Sequence, residues 1–191
     1  RYIGDWSSDV CSSDLSGRWT LRDKRRATPL TSNVRPHMRL QTDTNSLELK
    51  VLGYQFGHVC QDRFDSNWLV IEGTAGHLGR QWRFCDPCLL TWEVEALAKY
   101  LEAVADGNAP VRPMDFLEPN LEFSMVGPST LRVTFKLEAE PPWFASASSD
   151  DEPFSLEFGV SQQQLREASA SLRSQLTMFP ARNATGGRNA V

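Results

Sequence analysis

Apolar and polar positions alternate along most of the chain. In LELKVLGYQF, Leu47, Leu49 and Val51 share one face and Glu48 and Lys50 the other. The phase slips at Val51-Leu52, so that Leu52, Tyr54 and Phe56 continue it. A period of two predicts a strand, and Gly53 beside the slip predicts a bulge. NWLVIEG is apolar at each position from Trp68 to Ile71, as expected of a central, covered strand. RQWRFC sets Trp82 and Phe84 on one face, and NLEFSM does the same with Leu121, Phe123 and Met125. TLRVTFKLEAE alternates over its whole length, with Leu131, Val133, Phe135, Leu137 and Ala139 facing inward and Arg132, Thr134, Lys136, Glu138 and Glu140 outward. FSLEFGV closes the series with Phe154, Leu156, Phe158 and Val160 inward.

Two stretches change period. In TWEVEALAKYLEAVADG, Val94, Leu97, Ala98, Leu101, Val104 and Ala105 form a helical stripe, with Thr91 as cap and Gly107 as terminator. In SQQQLREASASLRSQLTMF, Ser161 and Gln164 read as a capping box ahead of Leu165, Ala168, Leu172, Leu176 and Phe179, and Pro180 ends the run. Strands that are mostly apolar on one face, plus two amphipathic helices, predict an α+β fold. The expected arrangement is one twisted, mostly antiparallel sheet of about six or seven strands with both helices on one face.

Residues 1–37 share none of this periodicity. DWSSDVCSSDL, Asp5 to Leu15, resembles residue for residue the conceptual translation of a sequencing adapter. The following stretch to His37 is basic, and Met38 is the first methionine. Residues 1–37 are therefore expected to be a non-native or disordered leader, 38–180 a single domain, and 181–191 a flexible tail. Seven of the 20 basic and four of the 24 acidic residues lie in 1–37, leaving 13 against 20 and a net charge of −7 in place of −4. So acidic a domain repels nucleic acid and anionic membrane and attracts basic partners.

Candidate chemistry is sparse. His58, Cys60, Cys85 and Cys88 could supply a structural zinc set, but a single C-x-x-C (Cys85-Asp86-Pro87-Cys88) beside an H-x-C is weak spacing, and Cys88 reads equally as a buried small hydrophobe. No metal or cofactor is expected, and with Cys11 set aside in the leader the three remaining cysteines, an odd number, argue against a disulfide framework. Neither His58 nor His77 sits in a catalytic motif, and no Gly-rich phosphate loop occurs, so no enzyme activity is expected. Glu118, Glu122, Glu138 and Glu140 could converge as a carboxylate pair for a hydrolase, although a solvated sheet face accounts for most of them. Asp150, Asp151 and Glu152 form an acidic loop, and Trp143 follows Pro141-Pro142, either as a binding edge or folded back on the core.

ELKVLGYQF, DSNWLVIEG, DPCLLTWEVEALAKYL, EPNLEFSM, LRVTFKLEAEPPW and FGVSQQQLREASASLRSQLTMFP, in this order, resemble the WapI-type immunity proteins. The resemblance spans roughly Leu47 to Pro180. It implies a bacterial, cytoplasmic antidote that binds the C-terminal domain of a polymorphic or contact-dependent toxin, often a nuclease. It implies no catalytic residue and does not locate the contact surface. Acidity and likeness together point to occlusion of a basic groove, with Glu138, Glu140, Trp143, Asp150, Asp151 and Glu152 as the candidate toxin-binding residues.

Overall fold

In a computed structural model, the described residues are 36–59, 62–108, 110, 112–144 and 152–183. These described residues fall within one compact unit. The strands are β1 (Met38–Gln41), β2 (Asn45–Tyr54), β3 (Trp68–His77), β4 (Arg80–Leu90), β5 (Leu121–Met125), β6 (Thr130–Phe135) and β7 (Phe154–Gly159). The helices are α1 (Thr91–Ala105), between β4 and β5, and α2 (Gln162–Met178), after β7.

The fold is α+β, as expected, but the seven strands divide between two antiparallel sheets instead of forming one. The first runs β1-β2-β3-β4 and the second β5-β6-β7. Alternation states which face of a strand is buried; it does not state which strand lies beside it.

The inner face of the first sheet carries Met38, Leu40, Leu47, Leu49, Ile71, Ala75, Trp82 and Phe84, all buried. Its outer face is a ladder of charge, with Arg39 on Glu48 and both Lys50 and Arg83 on Glu72. The second sheet buries Leu121, Phe123, Leu131, Val133, Phe135, Leu156 and Phe158. The two apolar faces meet at edge-to-face aromatic contacts: Trp82 lies 5.2 Å from Phe135 and 5.5 Å from Phe154 between ring centroids. Such pairs add to simple area burial.

Hydrogen bonds tie α2 both to α1 and to the first sheet. Ser169 Oγ donates to the carbonyl of Ala98, joining α2 to α1. Gln175, buried on α2, accepts from the Val51 amide at 2.6 Å and donates to the Leu49 carbonyl. β1 pairs with β2 only from Ser46 to Leu49, so Gln175 acts where that edge has lost its strand partner. The expected bulge is present, as a register shift between Val51 and Gly53.

Three local expectations are corrected. Thr91 does not cap α1: Leu90 occupies the cap position, and the Glu93 carboxylate accepts from its amide at 2.8 Å. Ser161 does cap α2, but Gln164 reaches across to the Gln41 carbonyl in place of closing a box. The long alternation of β6 stops at Phe135, because its neighbours β5 and β7 stop there too. The chain then turns through Leu137–Ala139 as a short 3-10 helix, with Leu137 exposed at φ 53°.

Gly73 of β3 lies across from Phe84 of β4, and a Cβ there would fall inside the Phe84 ring. Phe84 is itself buried in the core. Gly73→Ala should therefore cost about 1–3 kcal/mol through overpacking. Urea denaturation, read as a lowered midpoint with unchanged slope, checks this.

Candidate functional site

The described residues include the lining of an open cleft of about 410 Å³. It lies between the first residues of β3, the end of β4, the segment before β5 and the turn after β6. Asp65, Asp86, Glu118 and Glu138 line it, with Phe56 and Trp68 among its apolar walls; among the described residues, no Lys, Arg or His lines it.

Local sequence explains each placement. Asp86 continues the inward phase of β4 after Trp82 and Phe84, and so enters the molecule where an apolar side chain belongs. Glu138 arrives because the chain turns after Phe135. The buried Asn120 donates from its side chain to Glu138 Oε2 at 3.2 Å, and its carbonyl accepts from the Lys136 amide. Trp82 Nε1 donates to the Ala139 carbonyl, which anchors the far side of the turn. Asp65 and Trp68 flank Asn67, which is fully buried and bonded to Thr91 and Arg182.

Crowding of like charge has an electrostatic consequence. Partial burial, and then the neighbouring Glu138 and Glu118 carboxylates, push the Asp86 pKa up from 3.8 to about 6. An acid so placed is stabilised by its proton or by an incoming cation.

Of the residues singled out from sequence, Glu138 lines the cleft and Glu140 follows it at the end of the 3-10 turn, half-buried. Trp143 folds back on the core, 5.5 Å from Trp82, with the Arg80 guanidinium over its ring. Glu152 is exposed; Asp150 and Asp151 lie outside the described residues. Glu122 pairs with Lys136 at 3.0 Å on the outer face of the second sheet, apart from Glu118 and Glu138. Sequence reasoning missed Asp86, because it read CDPC for its cysteines; the signal was an acid at an inward phase of β4.

The described members of the zinc set, His58, Cys85 and Cys88, do not present themselves as ligands. Cys85 is disulfide-bonded, which corrects the expectation from cysteine count and leaves it no thiolate to offer a metal. Cys88 is a buried free thiol whose pKa burial drives upward, as in an inert core cysteine. His58 is exposed, and Cys60 lies outside the described residues. Among the described residues, no group of three or more His, Cys, Asp and Glu side chains could hold a metal ion.

The model of the Immunity protein WapI-like family matches residues 38–180. The chain belongs to that family. The match takes in both sheets, both helices and all four carboxylates of the cleft. No curated protein and no solved structure matches the chain. Membership gives it the role of an immunity protein, and no helix among its described residues is long and apolar enough to cross a membrane.

The Asp86 pKa sets a stability window for this immunity protein. Its folded value lies above the unfolded one, so the protonated acid favours the fold below about pH 4, and that contribution is lost as pH rises to about 6. Asp86→Asn should melt at a higher temperature than wild type at neutral pH, and the gain should vanish near pH 4. Thermal melts across that range check it.

Proposed function

We propose that the chain neutralises a cognate toxin domain, a nuclease, by laying acidic surface over its phosphate-binding groove. A nuclease must hold a polyanion and so presents a basic groove. The observation that carries the reading is the cleft, where four carboxylates converge and, among the described residues, the lining includes no basic side chain. Glu138 belongs to it, and Glu140, Trp143 and Glu152 extend the same reading, with Asp150 and Asp151 of the acidic loop. Complementary charge of this kind mainly speeds encounter.

The proposed site of action is the bacterial cytoplasm, where an antidote meets an incoming toxin. The disulfide at Cys85 pulls toward an oxidising compartment instead. Counting free thiols in protein taken from the cytoplasm under alkylating conditions separates the two.

One observation favours a second reading. A carboxyl group of raised pKa beside further carboxylates is the pairing used for general acid–base hydrolysis. Turnover of chromogenic glycosides by the purified protein, lost in Asp86→Asn, would support it. Absence of turnover leaves the antidote role.

The antidote role is tested by co-expression with the toxin domain encoded beside the gene. Wild type should restore growth. Glu138→Lys combined with Glu140→Lys and Glu152→Lys should slow association at low salt by about tenfold or more, with a smaller difference at high salt. Stopped-flow association rates unchanged by the three reversals would contradict acidic occlusion.

A further inference from the structure

Three of the four cleft carboxylates directly follow a large apolar residue in the chain. Phe64 precedes Asp65, Leu117 precedes Glu118, and Leu137 precedes Glu138. In each pair the second residue lines the cleft. The first is a large apolar side chain left in water: Phe64 is 46 % exposed, Leu117 59 % and Leu137 57 %. Of the seven large hydrophobic residues so exposed among those described, three therefore stand next to cleft acids.

These side chains are held out. Leu137 sits at φ 53°, a conformation that bulky residues rarely adopt, and the bonds of Asn120 to Lys136 and Glu138 fix the turn on either side of it. The Leu117 amide donates to the Glu93 carboxylate at 2.8 Å, the same carboxylate that caps α1. Phe64 packs edge-to-face on Trp92 at 5.5 Å. Each knob is thus tied to a rigid element.

We propose that Phe64, Leu117 and Leu137 form an apolar rim around an acidic socket, and that this is the docking surface for a toxin segment presenting an arginine amid apolar surface. The proposal rests on the antidote reading and deepens it. Charge complementarity selects a cation. The aromatic walls Phe56 and Trp68 favour a guanidinium, which is planar, weakly hydrated and able to pair with carboxylates through two hydrogen bonds. An ion pair left open to water contributes little, whereas a rim that excludes water makes the same pair count. The rim should therefore govern how long the complex lasts, and the carboxylates how fast it forms and what it accepts.

Two measurements test this. In the first, the toxin domain encoded by the adjacent gene, catalytically inactivated, is immobilised and its dissociation recorded. Leu117→Ser with Leu137→Asn removes two knobs, both at exposed positions, and asparagine tolerates the left-handed backbone at 137. Dissociation should quicken by about tenfold or more, while the association rate and its salt dependence stay as in wild type. Unchanged dissociation overturns the docking surface and leaves the antidote reading standing; wild type that captures no toxin at all overturns both. The second measurement needs no toxin. N-acetyl-arginine N-methylamide, titrated into the full chain, should shift the backbone amide resonances of Asp65, Trp68, Asp86 and Glu138, and the uncharged citrulline counterpart should not. Equal shifts from both compounds, or shifts spread over all surface carboxylates, overturn the socket.

Discussion

Asn67 is the point from which the functional end of the molecule is built. Its side chain is fully buried, and it donates to the carbonyls of Arg63 and Arg182. Its oxygen accepts from the Thr91 hydroxyl and from the Arg182 amide. An amide has two donor hydrogens and two acceptor positions, and here each has a partner. The bonds join the loop before β3, the start of α1 and the segment after α2. In a low-dielectric interior such a network is strong when complete and costly when broken. The Arg182 guanidinium extends it, lying 3.3 Å over the Tyr54 ring and donating to the Phe56 carbonyl. Asp65, Trp68 and Phe56 hold their places around the cleft because these three segments cannot drift apart.

Given that frame, the cleft is an electrostatic expense maintained at one place. Asp86 occupies an inward strand position and is pressed by Glu118 and Glu138; Leu137 is held in a rarely used backbone conformation beside them. Elsewhere several surface acids are paired: Glu72 takes both Lys50 and Arg83, Glu157 takes Arg132, and Glu95 and Glu102 take Arg173. Local rules are broken where carboxylates and exposed apolar residues meet. Sites of that kind are where folded proteins carry function at a cost in stability.

Strand faces were legible in the sequence because a period of two leaves little choice, and the apolar stripe of α1 was legible for the same reason at 3.6. The division into two sheets was not legible, since pairing is decided by contacts such as Trp82 with Phe135 between segments far apart in the chain. Glu138 was recognised as a candidate but assigned to a solvated strand face. Its true position depends on β6 losing both neighbours at Phe135, which no local pattern announces. Asp65 and Trp68 drew no functional notice because their placement comes from Asn67, a single polar residue in a loop. Family likeness was readable from the order of motifs, and it names a role without naming a surface.

The central claim is that the cleft and its rim meet the toxin. Hydrogen–deuterium exchange of the chain, alone and with its cognate toxin domain, is the decisive measurement. Exchange should slow in the segments around Phe64–Trp68, Asp86–Leu90, Leu117–Leu121 and Leu137–Glu140, with the outer face of the first sheet unchanged. Protection confined to that outer face, or to the exposed side of α2, would contradict it.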